Sequence, residues 1–415
     1  MSSGTVFTRL NDFSQSSDGV YRQDEAAAFN YSDGEQSEHR LRSILESAQD
    51  LSSDSVELEQ QIVDWPTEYH LSSTRANLLR GLNLEGVNTV LELGCGCGSI
   101  SRYLGENDAL EVDSVEGSAV RASLAALRCG DLPNVSISNG NFNTLQFPEA
   151  HYDLVLFVGV AEYAGRFSER ESDEAALQDL LALAKRAIKP DGVVLIAIEN
   201  RVGLKYAMGA CEDHYGVPYI GLDNYPESTG IRTYSKVEWQ SQIAQAGFDA
   251  CHFAYPFPDY KIPNCIVSEH CSPDNLDLQQ ALRTNKSRDY LSSFDLGALE
   301  SKLWSALASA GVLGDLANSF MLLLGQDKAR LMKMMDFELR SYTVSDHAYL
   351  VETSAAPHAE NDKQTIARQN HLKHLKRELE HHKQHAIELE NQLGLIKRSR
   401  GWQLLHKIRS LFGGS

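Results

Sequence analysis

Residues 90–98 read Val90-Leu91-Glu92-Leu93-Gly94-Cys95-Gly96-Cys97-Gly98, and this stretch decides the fold. A run of strand character gives way to three glycines spaced two apart, and a helical pattern follows at 98–104. Backbone at the end of a buried parallel strand approaches a ligand closely only where no Cβ stands in the way. A dinucleotide fingerprint would need a third glycine at 99 or 101, and both positions are serine. A nucleotide-phosphate loop would need Gly-Lys-Ser/Thr, which is absent too. A tight structural turn is the bland alternative, and the surrounding chain decides against it.

Working outward, short apolar runs alternate with helical patterns from 88 to about 253. Strands are expected at 89–93, 110–115, 135–138, 152–158 and 193–198, and helices at 98–104, 119–129 and 174–189. Lys189-Pro190-Asp191-Gly192 stops the last helix and turns into the last of these strands. The run DLVLFVGV at 153–160 is apolar on both faces, as a parallel strand between two helix layers must be. The pattern predicts an α/β, doubly wound, Rossmann-like sheet. Upstream, an amphipathic helix is expected at 38–48, and a second at 69–82 with Ser72 and Ser73 as caps. Residues 1–55 otherwise read as an acidic, loosely ordered leader.

The ExGxGxG pattern resembles motif I of class I S-adenosylmethionine-dependent methyltransferases, and the resemblance continues in order and spacing over 88–253. It implies a seven-stranded sheet with an insertion before the last strand, and S-adenosylmethionine as cofactor. Glu92, Gly94, Gly96 and Gly98 form the loop. Glu116, followed by Gly117, comes directly after the second strand, where a carboxylate takes two ribose hydroxyls. Asn141 and Phe142 stand at the adenine position, and Gly159, Glu162 and Tyr163 line the site after the fourth strand. IENRVGLKYAMGACEDHYGVPYIGLDNYP at 198–226, YHLSSTRANLLR at 69–80, YPFPDYKIPNCIVS at 255–268 and ANSFMLLLG at 317–325 are more distinctive. Over 69–325 the chain resembles a bacterial methyltransferase family encoded with glycosyltransferases of O-antigen and capsule assembly. That resemblance implies a methyl acceptor on a sugar or glycan end and a glycosyltransferase partner.

Composition narrows the rest. Lys and Arg total 38 against 57 Asp and Glu, so the net charge of −19 argues against a nucleic-acid substrate. The longest apolar run, 154–161, is too short to span a membrane, and the first residues lack a secretory core, so a cytoplasmic protein is expected. The seven cysteines form no CxxC pair. Cys265, His270 and Cys271 lack a second ligand pair, so no metal site is expected.

The divisions read as 1–55 leader, 56–87 N-terminal helices, 88–330 methyltransferase domain with an acceptor-side insertion at 200–316, 331–353 hairpin and 354–370 linker. A heptad seam, Leu372, Leu375, Leu379, His382, Ala386, Leu389, Leu393 and Ile396, follows at 371–396 and suits a homo-oligomeric coiled coil or one packed helix. The tail 397–415 is basic. Residues 396–412 carry +5, with Trp402 and Phe412 among the apolar residues. This predicts an amphipathic contact with the inner face of the cytoplasmic membrane or with a partner protein.

An alcohol acceptor needs a base. His214, beside Asp213, is the first candidate and His70 its rival. Arg201 and Lys205 are candidates for holding an anionic group on the acceptor, and Tyr260 belongs to a tyrosine-rich wall with Tyr206, Tyr215, Tyr219, Tyr225, Tyr234 and Tyr255. Three function classes remain open at this point: a glycan O-methyltransferase, a methyltransferase for another small molecule or a protein, and a non-catalytic donor-binding module in a glycan-assembly complex.

Overall fold

Side chains alternate between two faces along every central strand, and the alternation builds two cores. Leu91, Val155, Phe157, Val194, Ile196, Leu322 and Leu324 meet Leu177, Leu181, Trp239 and Trp304 on one face. Val90, Leu154, Leu156, Val193, Leu195, Met321 and Leu323 meet Leu78, Ile100, Leu104, Leu331 and Met334 on the other. A strand whose two faces are both covered must be apolar throughout, and Tyr152–Val158 is buried at all seven positions.

The computed structural model describes residues 13–23, 34–226, 228–290 and 296–342. The strands are β1 (Phe13–Gln15), β2 (Tyr21–Gln23), β3 (Thr89–Leu93), β4 (Glu111–Glu116), β5 (Val135–Asn139), β6 (Tyr152–Val158), β7 (Ile188–Glu199), β8 (Ala250–Phe257), β9 (Cys265–Ser268), β10 (Ser319–Gly325) and β11 (Leu339–Ser341). They form one sheet in the order β1-β2-β5-β4-β3-β6-β7-β10-β8-β9-β11. From β2 to β7 neighbours run parallel, and β10 enters antiparallel between β7 and β8. The order reverses at β3 and β6, so the carboxyl ends of these strands open a crevice there.

The resemblance implied a seven-stranded sheet, whereas the described residues form one sheet of eleven strands. Hairpin β1–β2 covers the β5 edge, and β9 and β11 extend the β8 edge. Extra strands at the rims cover backbone groups that a bare edge would expose.

Three other expectations change. The described parts of the leader are built into the fold: helix Glu35–Ser47 buries Leu41 and Leu45 against Leu124 of helix Ala119–Cys129. The expected helix at 69–82 is broken. Asp64 and Thr67 form a capping box that starts helix Trp65–Leu71, and extended Ser72 then opens a tighter turn, Ser73–Ala76. The hairpin expected at 331–353 is replaced over its described part by helix Lys328–Met334 and by β11, which pairs with β9. The remainder of that hairpin, the linker, the heptad seam and the basic tail lie outside the described residues. No helix among the described residues is long and apolar enough to cross a membrane.

Candidate active site

The glycine loop leaves β3 and is pinned to β4. The amides of Gly94 and Cys95 donate to the Val115 carbonyl at 2.8 and 3.1 Å. Glu116, buried at the tip of β4, accepts from the Gly96 amide at 2.8 Å with one carboxylate oxygen and from the Ser118 amide at 2.8 Å with the other. The glycines differ in what they face. A Cβ at Gly94 would strike the Val160 side chain at 2.3 Å, and one at Gly98 the Ala125 backbone at 2.9 Å. A Cβ at Gly96 would meet only the His70 ring, at 4.0 Å.

Gly96 faces a cavity of about 290 Å³ beside the carboxyl ends of β3, β4 and β6. Of the residues singled out in the sequence, Glu92, Gly94, Gly96, Glu116, Gly117, Phe142, Gly159, Glu162, His70, His214 and Tyr260 line it. Gly98 does not; it lets helix Ala119–Cys129 pack close. Asn141 is absent from the lining too, and its carboxamide oxygen accepts from the Asn143 amide to shape a turn.

The two acceptor-side cations are placed elsewhere. Arg201 pairs with Glu238 at 2.7 Å, and Lys205 is fully buried with Asp213 at 3.1 Å. Of the tyrosine-rich wall expected at 206–260, only Tyr260 reaches the cavity, and Tyr163, expected after the fourth strand, lines it too. Tyr206, Tyr225, Tyr234 and Tyr255 are core residues, and Tyr219 is exposed. Half-buried Trp65, Tyr69 and Phe167, which the sequence reading did not single out, complete the aromatic lining with Tyr163 and Phe142. Lys261, which the sequence reading missed, also lines the cavity.

Around His214 the structure gathers buried charge. His214 Nδ1 lies 2.9 Å from Glu212 and Nε2 lies 3.6 Å from Glu162, so Glu212, not Asp213, is its carboxylate partner. Asp213 is held by Lys205 and Lys261, and Lys261 also contacts Glu199. Burial alone would lower the His214 pKa, but Glu162, Glu199 and Glu212 reverse this and hold it well above the usual histidine value. Burial raises the Glu162 carboxyl despite its contact with His214. For Glu212 burial pulls upward, yet His214 and the loop amides bring it below the ordinary value. His270 does not join Cys265. It lies near His252, ring centroids 5.0 Å apart, while Cys265 is buried in β9 beside Asn285.

Beneath the loop, Glu92 accepts from Ser101 at 2.5 Å and Ser114 at 3.3 Å. Burial outweighs these bonds and pushes its pKa from 4.5 to about 7. The folded chain therefore holds this proton more tightly than the unfolded chain. The resulting stability is full below about pH 4.5 and is lost as pH rises through about 7, by about 3 kcal/mol. Glu92→Gln should flatten the fall in melting temperature between pH 5.5 and 8.5. An equal fall in both proteins would show that Glu92 does not carry it.

Residues 90–192 match the family model for the methyltransferase domain. No curated protein matches the chain. Among solved structures, the chain resembles Haemonchus contortus phosphoethanolamine N-methyltransferase 2, solved with phosphomonomethylethanolamine and S-adenosylhomocysteine. The identity is 16% over 61% of this chain and 52% of that one, with a TM-score of 0.37, so the match spans about half of that enzyme. A Thermotoga maritima S-adenosylmethionine-dependent methyltransferase, described as a possible histamine N-methyltransferase, is 13% identical over 61% and 88% of the two chains, TM-score 0.36. A Haloferax volcanii methyltransferase solved with the Trm112 activator is 15% identical over 61% and 88%, TM-score 0.37. Over residues 90–192 the chain carries a methyltransferase domain.

Proposed function

We propose that the protein O-methylates a sugar hydroxyl, on a free sugar or at a glycan end, in surface polysaccharide assembly. The observation that carries this reading is the pairing, in one cavity, of half-buried aromatic rings with the buried carboxylates around His214. Trp65, one face of which is stacked on Tyr290, and Tyr163 line the cavity with apolar ring surface of the kind that packs on the C–H side of a sugar. An alcohol must also shed its proton as the new bond forms, and a patch of buried negative charge favours whatever positive charge gathers there.

S-adenosylmethionine, when bound, supplies a methyl group already activated as a sulfonium. The chain's task is to place the partners and manage the proton. Gly96 gives the donor unobstructed backbone, and Phe142 supplies an apolar wall. Glu116 is held at the strand tip by the Gly96 and Ser118 amides and lines the cavity, where its carboxylate can accept from a ribose hydroxyl. Glu116→Ala should weaken donor binding by about 1.5–3 kcal/mol, as expected for hydrogen bonds to a charged group. Calorimetry with the donor alone measures this, and unchanged affinity would remove Glu116 from the donor site.

The acceptor is tested by incubating the full chain with donor and a panel of nucleotide sugars and oligosaccharides. A gain of one methyl, located on oxygen by NMR, supports the reading. A methyl found on nitrogen would mean that the acidic patch serves an amine.

A further inference from the structure

We propose that Glu162, Glu199 and His214 bind a first-row divalent cation such as Mn²⁺ or Zn²⁺. One ligand atom from each residue lies within 4.8 Å of the other two, and His214 Nε2 is 3.6 Å from Glu162 Oε1. Glu162 follows β6, Glu199 ends β7 and His214 belongs to the following insertion, so three separate segments converge on one point.

Two features distinguish this group from a chance cluster of acids. The first is its unsatisfied oxygens. Glu162 Oε2 and Glu199 Oε2 are buried and accept no hydrogen bond, although each side chain is only 1% exposed. A buried carboxylate oxygen without a partner is costly, and a ligated cation removes that cost. The second is the support behind the histidine. Glu212 stands 2.9 Å from His214 Nδ1 and is itself fixed by the His214 and Tyr215 amides at 2.8 and 2.9 Å. A carboxylate accepting from Nδ1–H sets the tautomer that turns the Nε2 lone pair toward Glu162, an arrangement typical of ligating histidines.

Charge points the same way. The ion-paired network holds four carboxylates, Glu162, Glu199, Glu212 and Asp213, and two lysines, Lys205 and Lys261. In the unprotonated forms that ligate a metal, a neutral imidazole and four carboxylates leave the network two positive charges short, which one divalent ion supplies. One imidazole nitrogen with two carboxylates suits Mn²⁺ or Zn²⁺ better than the all-oxygen cations. Glu162 and His214 line the cavity, so an ion between them is open to an acceptor oxygen. Ligation would lower the pKa of an acceptor hydroxyl, whose proton passes to solvent before the oxygen takes the methyl group. That role rests on the methyl-transfer reading; the binding of the ion does not.

The test uses chelator-treated full-length protein titrated with Mn²⁺ alone, with free Mn²⁺ followed by its EPR signal. One Mn²⁺ per chain, displaced by Zn²⁺, is expected. Glu162→Gln, which keeps the side chain's shape, and Glu212→Gln should each weaken uptake about 10–100-fold while the near-UV dichroism stays native. The proposal is overturned if the wild type takes up neither ion, or if Glu162→Gln takes up Mn²⁺ as tightly. Calorimetry with S-adenosylmethionine on the same metal-free sample separates the two readings. Donor binding without Mn²⁺ uptake overturns the ion site alone, and Mn²⁺ uptake without donor binding upholds it while overturning the donor site.

Discussion

Gly96→Val should abolish donor binding while leaving the chain folded. Gly96 has φ +55° and its Cβ position meets nothing nearer than the His70 ring at 4.0 Å. A side chain there strains the backbone by roughly 1–2 kcal/mol, which a domain of this size withstands. The valine methyl groups then occupy cavity space that the donor needs, so affinity should drop about a hundredfold or more, at least ~3 kcal/mol. Gly98→Val is the control. Its Cβ would run into the Ala125 backbone at 2.9 Å, so that variant should lose melting temperature first and binding only as a consequence. The two defects separate in one pair of experiments, thermal melting and donor calorimetry. Wild-type affinity in Gly96→Val would mean that the donor does not pass over this loop.

What the sequence disclosed follows from the range of the forces involved. Glycine spacing, strand alternation and helix periodicity are local, and they placed β3, β6 and helix Ala119–Cys129 at the bounds the structure shows. Edge pairing is not local. Nothing in residues 13–23 announces that Tyr21 will pair with Ser138, or that Arg340 will pair with Ile266. The glycine-loop side of the cavity was legible because one short motif and the next strand tip compose it. The other half was not. Arg201 and Lys205 look available in sequence, but Glu238 lies 37 positions downstream and Asp213 eight, and pairing with them removes both cations from the cavity. Lys261 carries no local signal, and Arg75, 186 positions away, reaches only its backbone carbonyl. His214 was marked by its type and its acidic neighbour. The neighbour that matters is Glu212, because the loop's turn brings position 212 onto the ring and sends Asp213 to the two lysines.

His214→Ala should lower turnover by roughly a hundredfold or more and leave donor affinity within about twofold. The reason is position. His214 lies against Glu162 and Glu212 and lines the cavity, while the contacts that pin the glycine loop run through Glu116 and Val115. Removing the imidazole therefore leaves the loop intact and strips the acceptor side of its one ring nitrogen facing Glu162. On the proposed reading that nitrogen holds a cation or a proton at the acceptor, so its loss should slow methyl transfer. A loss confined to kcat, with the donor dissociation constant unchanged, identifies this side of the cavity as the place where the acceptor is activated. Added imidazole should restore part of the rate, since Glu162 and Glu212 remain to receive it. A merely structural role would instead lower melting temperature and donor affinity together and would not respond to imidazole. Unchanged turnover would pass the role to His70, which lines the same cavity near Cys97, its Nε2 3.9 Å from the sulfur.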